Sequence, residues 1–187
     1  PWAVIRPEAD QLPGACKNYF SIGRWVDVSN DNFGVTWVTR DAPLVELGRI
    51  TVDVASPLQS KAFLKHIEPS QQFYSYLMNN YWETNYKADQ EGSTEFRYAI
   101  RPHGRFSAAE ATRFAIERSQ PLIAVPVDAK SPMPRPEPLL RVEPESVIVS
   151  LLKPSEDRKA LIVRLLNAGD APAKAVIKWP EPAPPSV

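Results

Sequence analysis

Residues 20–38 read Phe20-Ser-Ile-Gly-Arg-Trp-Val-Asp-Val-Ser-Asn-Asp-Asn-Phe-Gly-Val-Thr-Trp-Val38, and the alternation of apolar and polar side chains in this stretch decides the fold class. In an extended chain successive side chains point to opposite faces. Phe20, Ile22, Val26 and Val28 therefore share one side of a first strand. Asn30-Asp31-Asn32-Phe33-Gly34 supplies the amides, carboxylate and glycine that bend a backbone, and Val35-Thr36-Trp37-Val38 returns as a second strand, so the spacing predicts a β-hairpin. Outward from it the same period recurs. Ile50, Val52 and Val54 alternate with Thr51 and Asp53, and Phe96, Tyr98 and Ile100 alternate with Glu95 and Arg97. Both read as antiparallel strands with one wet face.

One segment breaks the period. Ser107-Ala108-Ala109-Glu110 has the spacing of a capping box, Ala111, Phe114, Ala115 and Arg118 follow at helical intervals, and Pro121 stops continuation. A short helix is predicted at about residues 107 to 119. The stretch Ser131-Pro-Met-Pro-Arg-Pro-Glu-Pro138 cannot form a helix or a central strand, because proline lacks the N–H and holds φ fixed. It is predicted to be a stiff linker between a main β segment, 1–130, and a small C-terminal β domain, 139–187. Three strands are expected in the latter, Val147 to Leu152, Ala160 to Leu166 and Ala173 to Trp179, arranged as a meander and packed back on the main segment. The proline-rich tail from Pro180 is expected to fray. The whole reads as all-β: an antiparallel β-sandwich with one short helix and a small terminal sheet.

Composition narrows the function. Of 187 residues 43% are hydrophobic and 24% charged, an ordinary globular balance. Lys plus Arg (22) equals Asp plus Glu (22), so the broad positive field that grips a phosphate backbone is absent and nucleic acid is not an expected partner. No apolar run reaches membrane-spanning length, so no membrane partner is expected either. Cys16 is the only cysteine, which rules out an internal disulfide and a thiolate metal cluster. The opening Pro1-Trp2-Ala3-Val4-Ile5 carries no initiating Met and no basic-then-apolar leader, as though cut from a longer chain. With no Asn-x-Ser/Thr acceptor in the sequence, a bacterial cytoplasmic origin is the expectation.

The motifs of common catalysts are missing. His66 and His103 stand far apart without the short His/Asp spacing of a zinc site. No Gly-x-Ser-x-Gly elbow or phosphate-cradling glycine loop occurs. Asp27, Asp31, Asp41, Glu83, Asp89 and Glu91 lie in or beside predicted turns, where carboxylates serve solvation and turn geometry, and spacing alone does not show the convergence of two that glycoside hydrolysis requires. The densest mixture of aromatic, amide and carboxylate groups runs from Phe73 to Gly92. Rings beside Asn, Asp, Glu and Lys suit the CH faces and hydroxyl rim of a sugar. The plainer reading makes Phe73, Tyr76 and Trp82 core residues.

Three blocks give the chain a family likeness. They are Leu12-Pro-Gly-Ala-Cys-Lys-Asn-Tyr-Phe-Ser-Ile-Gly-Arg-Trp-Val-Asp-Val-Ser-Asn30, then Phe33-Gly-Val-Thr-Trp-Val-Thr-Arg-Asp-Ala-Pro-Leu-Val-Glu46, then Met78-Asn-Asn-Tyr-Trp-Glu-Thr-Asn-Tyr-Lys-Ala-Asp-Gln-Glu-Gly92. In order and content they resemble the C-terminal region of bacterial glycoside hydrolase family 38 α-mannosidases, and the strands around Leu161 to Leu166 and Trp179 suit that family's small terminal β domain. The resemblance implies part of a galactose mutarotase-like supersandwich. It further implies a parent enzyme whose N-terminal α/β domain binds zinc and carries the aspartate nucleophile of a retaining mechanism, followed by a helical domain and the β domains. No nucleophile or zinc ligand falls in the matched blocks, so no catalytic residue, cofactor or metal ligand is expected within this chain. Its expected partners are the catalytic and helical domains of that parent and, at the cleft, mannosides. The turn Thr39-Arg40-Asp41-Ala42-Pro43 is the candidate counterpart of an arginine-rich strand near the cleft in the lysosomal and Golgi branches. Arg40, Asp41, Tyr81, Trp82, Glu83, Asn85 and Asp89 are accordingly the candidate cleft-edge residues. Two other functions fit the sequence: an independent carbohydrate-binding module built on Tyr81 and Trp82, and a purely structural sandwich.

Overall fold

The structure is a computed structural model, and it describes residues 3–51, 63–78, 85, 87, 89–126, 128 and 138–180. The described elements are mostly strands, all paired antiparallel, with two short helices. The chain divides into two compact units, Pro1–Phe106 and Ser107–Val187. This division falls ahead of the proline-rich stretch, of which only Pro138 lies within the described residues.

The first unit holds two three-stranded sheets. The expected hairpin forms from β2 (Trp25–Ser29) and β3 (Gly34–Thr39), with Val26 opposite Trp37 and Ser29 opposite Gly34. Asn30 makes the turn: its Oδ1 accepts from the backbone N–H of Asn32 and of Phe33, each at 2.9 Å, and its own N–H donates to Phe33 O. An Asn side chain that imitates a backbone carbonyl in this way is a common device for reversing a chain. On the far side of β3 lies β6 (Tyr98–His103), with Ile100 opposite Trp37 and Pro102 opposite Val35.

Phe20 and Ser21 form a separate short strand, β1, which pairs with β4 (Leu44–Leu47), itself paired with β5 (Phe73–Tyr76). The single first strand expected across Phe20 to Val28 is thus two strands in different sheets, broken at Gly23 and Arg24. Alternation persists through the break, which is why it was invisible as a pattern. Phe20, Trp37 and Val45 form the buried core of this unit, with Ile22, Val26, Leu47, Ile67 and Phe73 packed around them. Trp37 is its centre, edge-on to Phe73 at 5.2 Å and stacked on Tyr98 at 5.0 Å.

The inward set predicted for β6 meets cover only in part. Tyr98 and Ile100 share the face of Trp37, yet Ile100 is 63% exposed, because the aromatic cluster reaches only as far as Tyr98. Ile50 and Thr51 belong to no strand, and the remainder of that predicted strand lies outside the described residues.

The second unit begins with the predicted helix, here α2 (Ala108–Ser119). Ser107 caps it, accepting from the Glu110 N–H at 3.3 Å, and Gln120 leaves it in extended conformation ahead of Pro121. Its buried face is Ala111, Thr112 and Ala115, small residues that allow close approach to a neighbouring strand. β8 (Val147–Pro154) and β9 (Leu161–Asn167) form a long hairpin with a bulge at Ser150. The Ser150 hydroxyl donates to Arg164 O and accepts from Arg164 Nε, which ties the bulge to the partner strand. The expected meander is not what forms. β10 (Val176–Lys178) pairs with β7 (Arg141–Glu143), a strand the sequence reading missed, so this unit holds two separate two-stranded sheets.

A second correction concerns helices. The sequence suggested one, but Pro7–Asp10 forms a four-residue helix, α1, with Pro7 at its start and Asp10 Oδ2 accepting from the Arg6 N–H at 2.6 Å. Proline at the first helical position followed by two acidic residues is the signal that marks it. Among the described residues no helix is long and apolar enough to cross a membrane.

Candidate functional site

Of the seven candidate cleft-edge residues, Tyr81, Trp82 and Glu83 lie outside the described residues. Asn85 and Asp89 are exposed, and Asp89 pairs with Lys87 at 3.5 Å. Arg40 and Asp41 stand together at the turn after β3. Arg40 is exposed, while its backbone N–H donates to Arg97 O. Asp41 is engaged by Arg97: Nε donates to Oδ2 at 3.0 Å, Nη2 to Oδ1 at 2.7 Å, and the Arg97 backbone N–H to Oδ2 at 2.8 Å. A two-pronged guanidinium contact of this kind fixes orientation as well as charge. The Arg97 guanidinium and then its backbone N–H hold the Asp41 carboxyl down at about 2, and the same contact raises Arg97. Asp41 thus joins the turn after β3 to the start of β6, with exposed Arg40 beside it.

A second constellation was not among the candidates. Asp27 sits in the middle of β2, not in a turn as its polarity suggested. Its Oδ2 accepts from Thr36 Oγ1 at 2.6 Å and lies 2.7 Å from His103 Nε2. The other ring nitrogen, Nδ1, lies 2.9 Å from the carbonyl oxygen of Gly104. The Asp27 and His103 side chains are 6% and 11% exposed, and Asp27 Oδ1 is buried without a hydrogen-bond partner. Trp25 and Phe106 border the site, with Phe106 6.3 Å from the His103 ring. The signal that could have found it is topological. Asp27 and His103 are 76 residues apart, and only the order β2-β3-β6 brings them to one face.

Gly34 makes this crossing possible. His103 is directly opposite it, and a Cβ at position 34 would run into both the His103 ring and Ser29 Cβ. The ring lies where a side chain would otherwise stand. Both ring nitrogens of His103 lie against oxygen atoms of the protein, Asp27 Oδ2 and Gly104 O, so the site ties β2 and β3 to the end of β6.

A third polar group lies beside β4. Buried Glu46 accepts from the Thr51 N–H at 2.6 Å and from its hydroxyl, and buried Asn18 donates to Thr51 Oγ1 while accepting from the Leu64 N–H. Nearby in sequence, Glu8 of α1 gathers the Ile67 N–H (2.8 Å), His66 Nδ1 (2.9 Å) and the buried Lys17 ammonium (3.2 Å). These donors, the Ile67 amide foremost, lower the Glu8 carboxyl to about 2. Among the described residues no group of three or more His, Cys, Asp or Glu side chains is placed to hold a metal ion.

Compared with known protein families, curated proteins and solved structures, the chain matches none.

Proposed function

We propose that the chain is the non-catalytic C-terminal β-sandwich portion of a glycoside hydrolase family 38-like α-mannosidase, packed on the catalytic and helical domains and bordering the substrate cleft. One observation carries this reading beside the sequence resemblance. Leu122, Ile123 and Val125 are 101%, 87% and 70% exposed in the irregular run that follows α2. Closely spaced large apolar side chains left in water favour a further protein surface, since burying each is worth roughly 1.5–3 kcal/mol.

In this reading the sheets β2-β3-β6 and β1-β4-β5 are the two layers of the sandwich, with Trp37, Phe20 and Val45 between them. Zinc and the aspartate nucleophile belong to the catalytic domain, in a bacterial cytoplasmic enzyme. Arg40 at the turn after β3 is the residue offered to the cleft, and Asp41, held by Arg97, positions that turn.

The test is turnover of an aryl α-mannoside by the product of the whole gene, compared with the 187-residue chain alone. The whole product is expected to cleave it and the chain alone to be inert. Cleavage by the chain alone, or inactivity of a zinc-loaded whole product, would overturn the proposal.

A further inference from the structure

The Glu8 cluster does not depend on the functional reading above and carries an inference of its own. From Ala3 to Cys16 no residue is buried, whereas Lys17 and Asn18, which follow directly, are. Helix α1 is braced from within, the Arg6 N–H donating to Asp10 Oδ2. Among the described residues, the hydrogen bonds and ion pairs that reach from residues 3–15 to the rest of the first unit all end on one carboxylate. Glu8 Oε2 accepts from the Ile67 N–H and pairs with Lys17 Nζ, and Oε1 lies against His66 Nδ1.

What Glu8 enters is built without it. Asn18, next to Lys17, accepts from the Leu64 N–H at 3.1 Å and donates to Thr51 Oγ1, so the stretches 17–18 and 64–67 are tied to one another by a separate bond. Ile67 packs against the core of Phe20, Trp37 and Val45, which fixes its amide. The Lys17 side chain is 9% exposed and that of His66 84%. A buried ammonium and a fixed backbone N–H thus converge on one oxygen, with the His66 side open to water. Convergent donors of which one is charged make the short, strong hydrogen bonds by which proteins hold carboxylates.

We propose that residues 3–15 form a releasable strap, and that the cradle beneath it, Lys17 Nζ and the Ile67 N–H with His66 at the rim, is a carboxylate-binding site that Glu8 fills as a tethered occupant. The donors hold the Glu8 carboxyl down at about 2, so the occupant at neutral pH is an anion. Attachment gives Glu8 its advantage, because a group on a short tether acts like a free ligand at millimolar concentration. A free carboxylate presents the same two oxygens to the same donors, and with Glu8 gone it meets no competitor. A neutral amide lacks the charge that the ammonium calls for. Lifting the strap leaves the sheets in place, as local opening does where few side chains are buried.

The test compares the full 187-residue chain with Glu8→Ala, following backbone amide signals by NMR while acetate is added at constant ionic strength. Glu8→Ser takes the place of the alanine variant should that one not fold, and unmoved β3 signals show that the core is intact. In the variant the Ile67 amide should shift saturably with acetate and not with acetamide, while in the parent the same acetate moves it about tenfold less. The Ala9 and Asp10 amides, bonded to Arg6 O within α1, should exchange on the order of tenfold faster in the variant than in the parent. The proposal is overturned if Ile67 in the variant ignores acetate, answers acetamide equally, or responds no more than in the parent. Unchanged exchange of Ala9 and Asp10 would overturn it as well, since the strap would then be held by something other than Glu8.

Discussion

Two carboxylates show how single residues make this chain sensitive to acid. Glu8 and Asp41 ionise in the folded protein at about 2, below their ordinary values of 4.5 and 3.8, because each is surrounded by donors. A depressed carboxyl contributes stability that is present above its unfolded value and lost as pH falls through its folded value. The thermal midpoint of the chain should therefore drop as the solution is taken from pH 4.5 toward pH 2. Glu8→Gln should flatten part of that slope, and an unchanged slope in both Glu8→Gln and Asp41→Asn would refute the assignment. Arg97→Lys keeps the positive charge but not the fork. In that variant the Asp41 carboxyl should titrate closer to 3.8, as read by carboxyl NMR. At the same scale, Trp37→Ala removes the centre of the first core and is expected to cost about 3–5 kcal/mol in denaturant unfolding.

For elements, the test is whether each boundary has the cause assigned to it. Ser107→Ala should cost about 1 kcal/mol by removing the acceptor for the Glu110 N–H. Gly34→Ala should cost at least about 1–3 kcal/mol, since the new methyl meets Ser29 and His103. Helix α2 and, in the hairpin, the turn and the returning strand β3 were legible to within a residue or two because a cap, a stop and an Asn-rich turn are encoded side by side, whereas β2 begins at Trp25 and not at Phe20. Elements defined by distant partners were not. The two residues of β1 are a strand only because Leu44 and Val45 lie opposite, and β7 is one only because Val176 to Lys178 return to it. The sites follow the same division. Asp41 announces itself by polarity at a turn and Arg40 was singled out by the family likeness, whereas Arg97 and the pair Asp27 and His103 acquire their roles from strand order, which no local spacing reveals.

Considered as a whole, the molecule is two compact units with apolar residues still in water. Replacing Leu122 and Ile123 together by Asp should leave unfolding of the isolated chain within about 0.5 kcal/mol, because these side chains have almost no burial to lose. In the whole gene product the same change should lower the thermal midpoint, and equal effects in both would remove the case for a covering surface. The outer edges of the sheet β2-β3-β6 also differ from one another. Pro102 has no N–H to offer, and proline on a bordering strand normally turns its nitrogen toward the open side. A strand arriving along β6 finds a gap in the ladder at that point, while Trp25–Ser29 of β2 is free of proline along its length. Lengthening of this sheet by a foreign or sibling polypeptide is thereby disfavoured along β6.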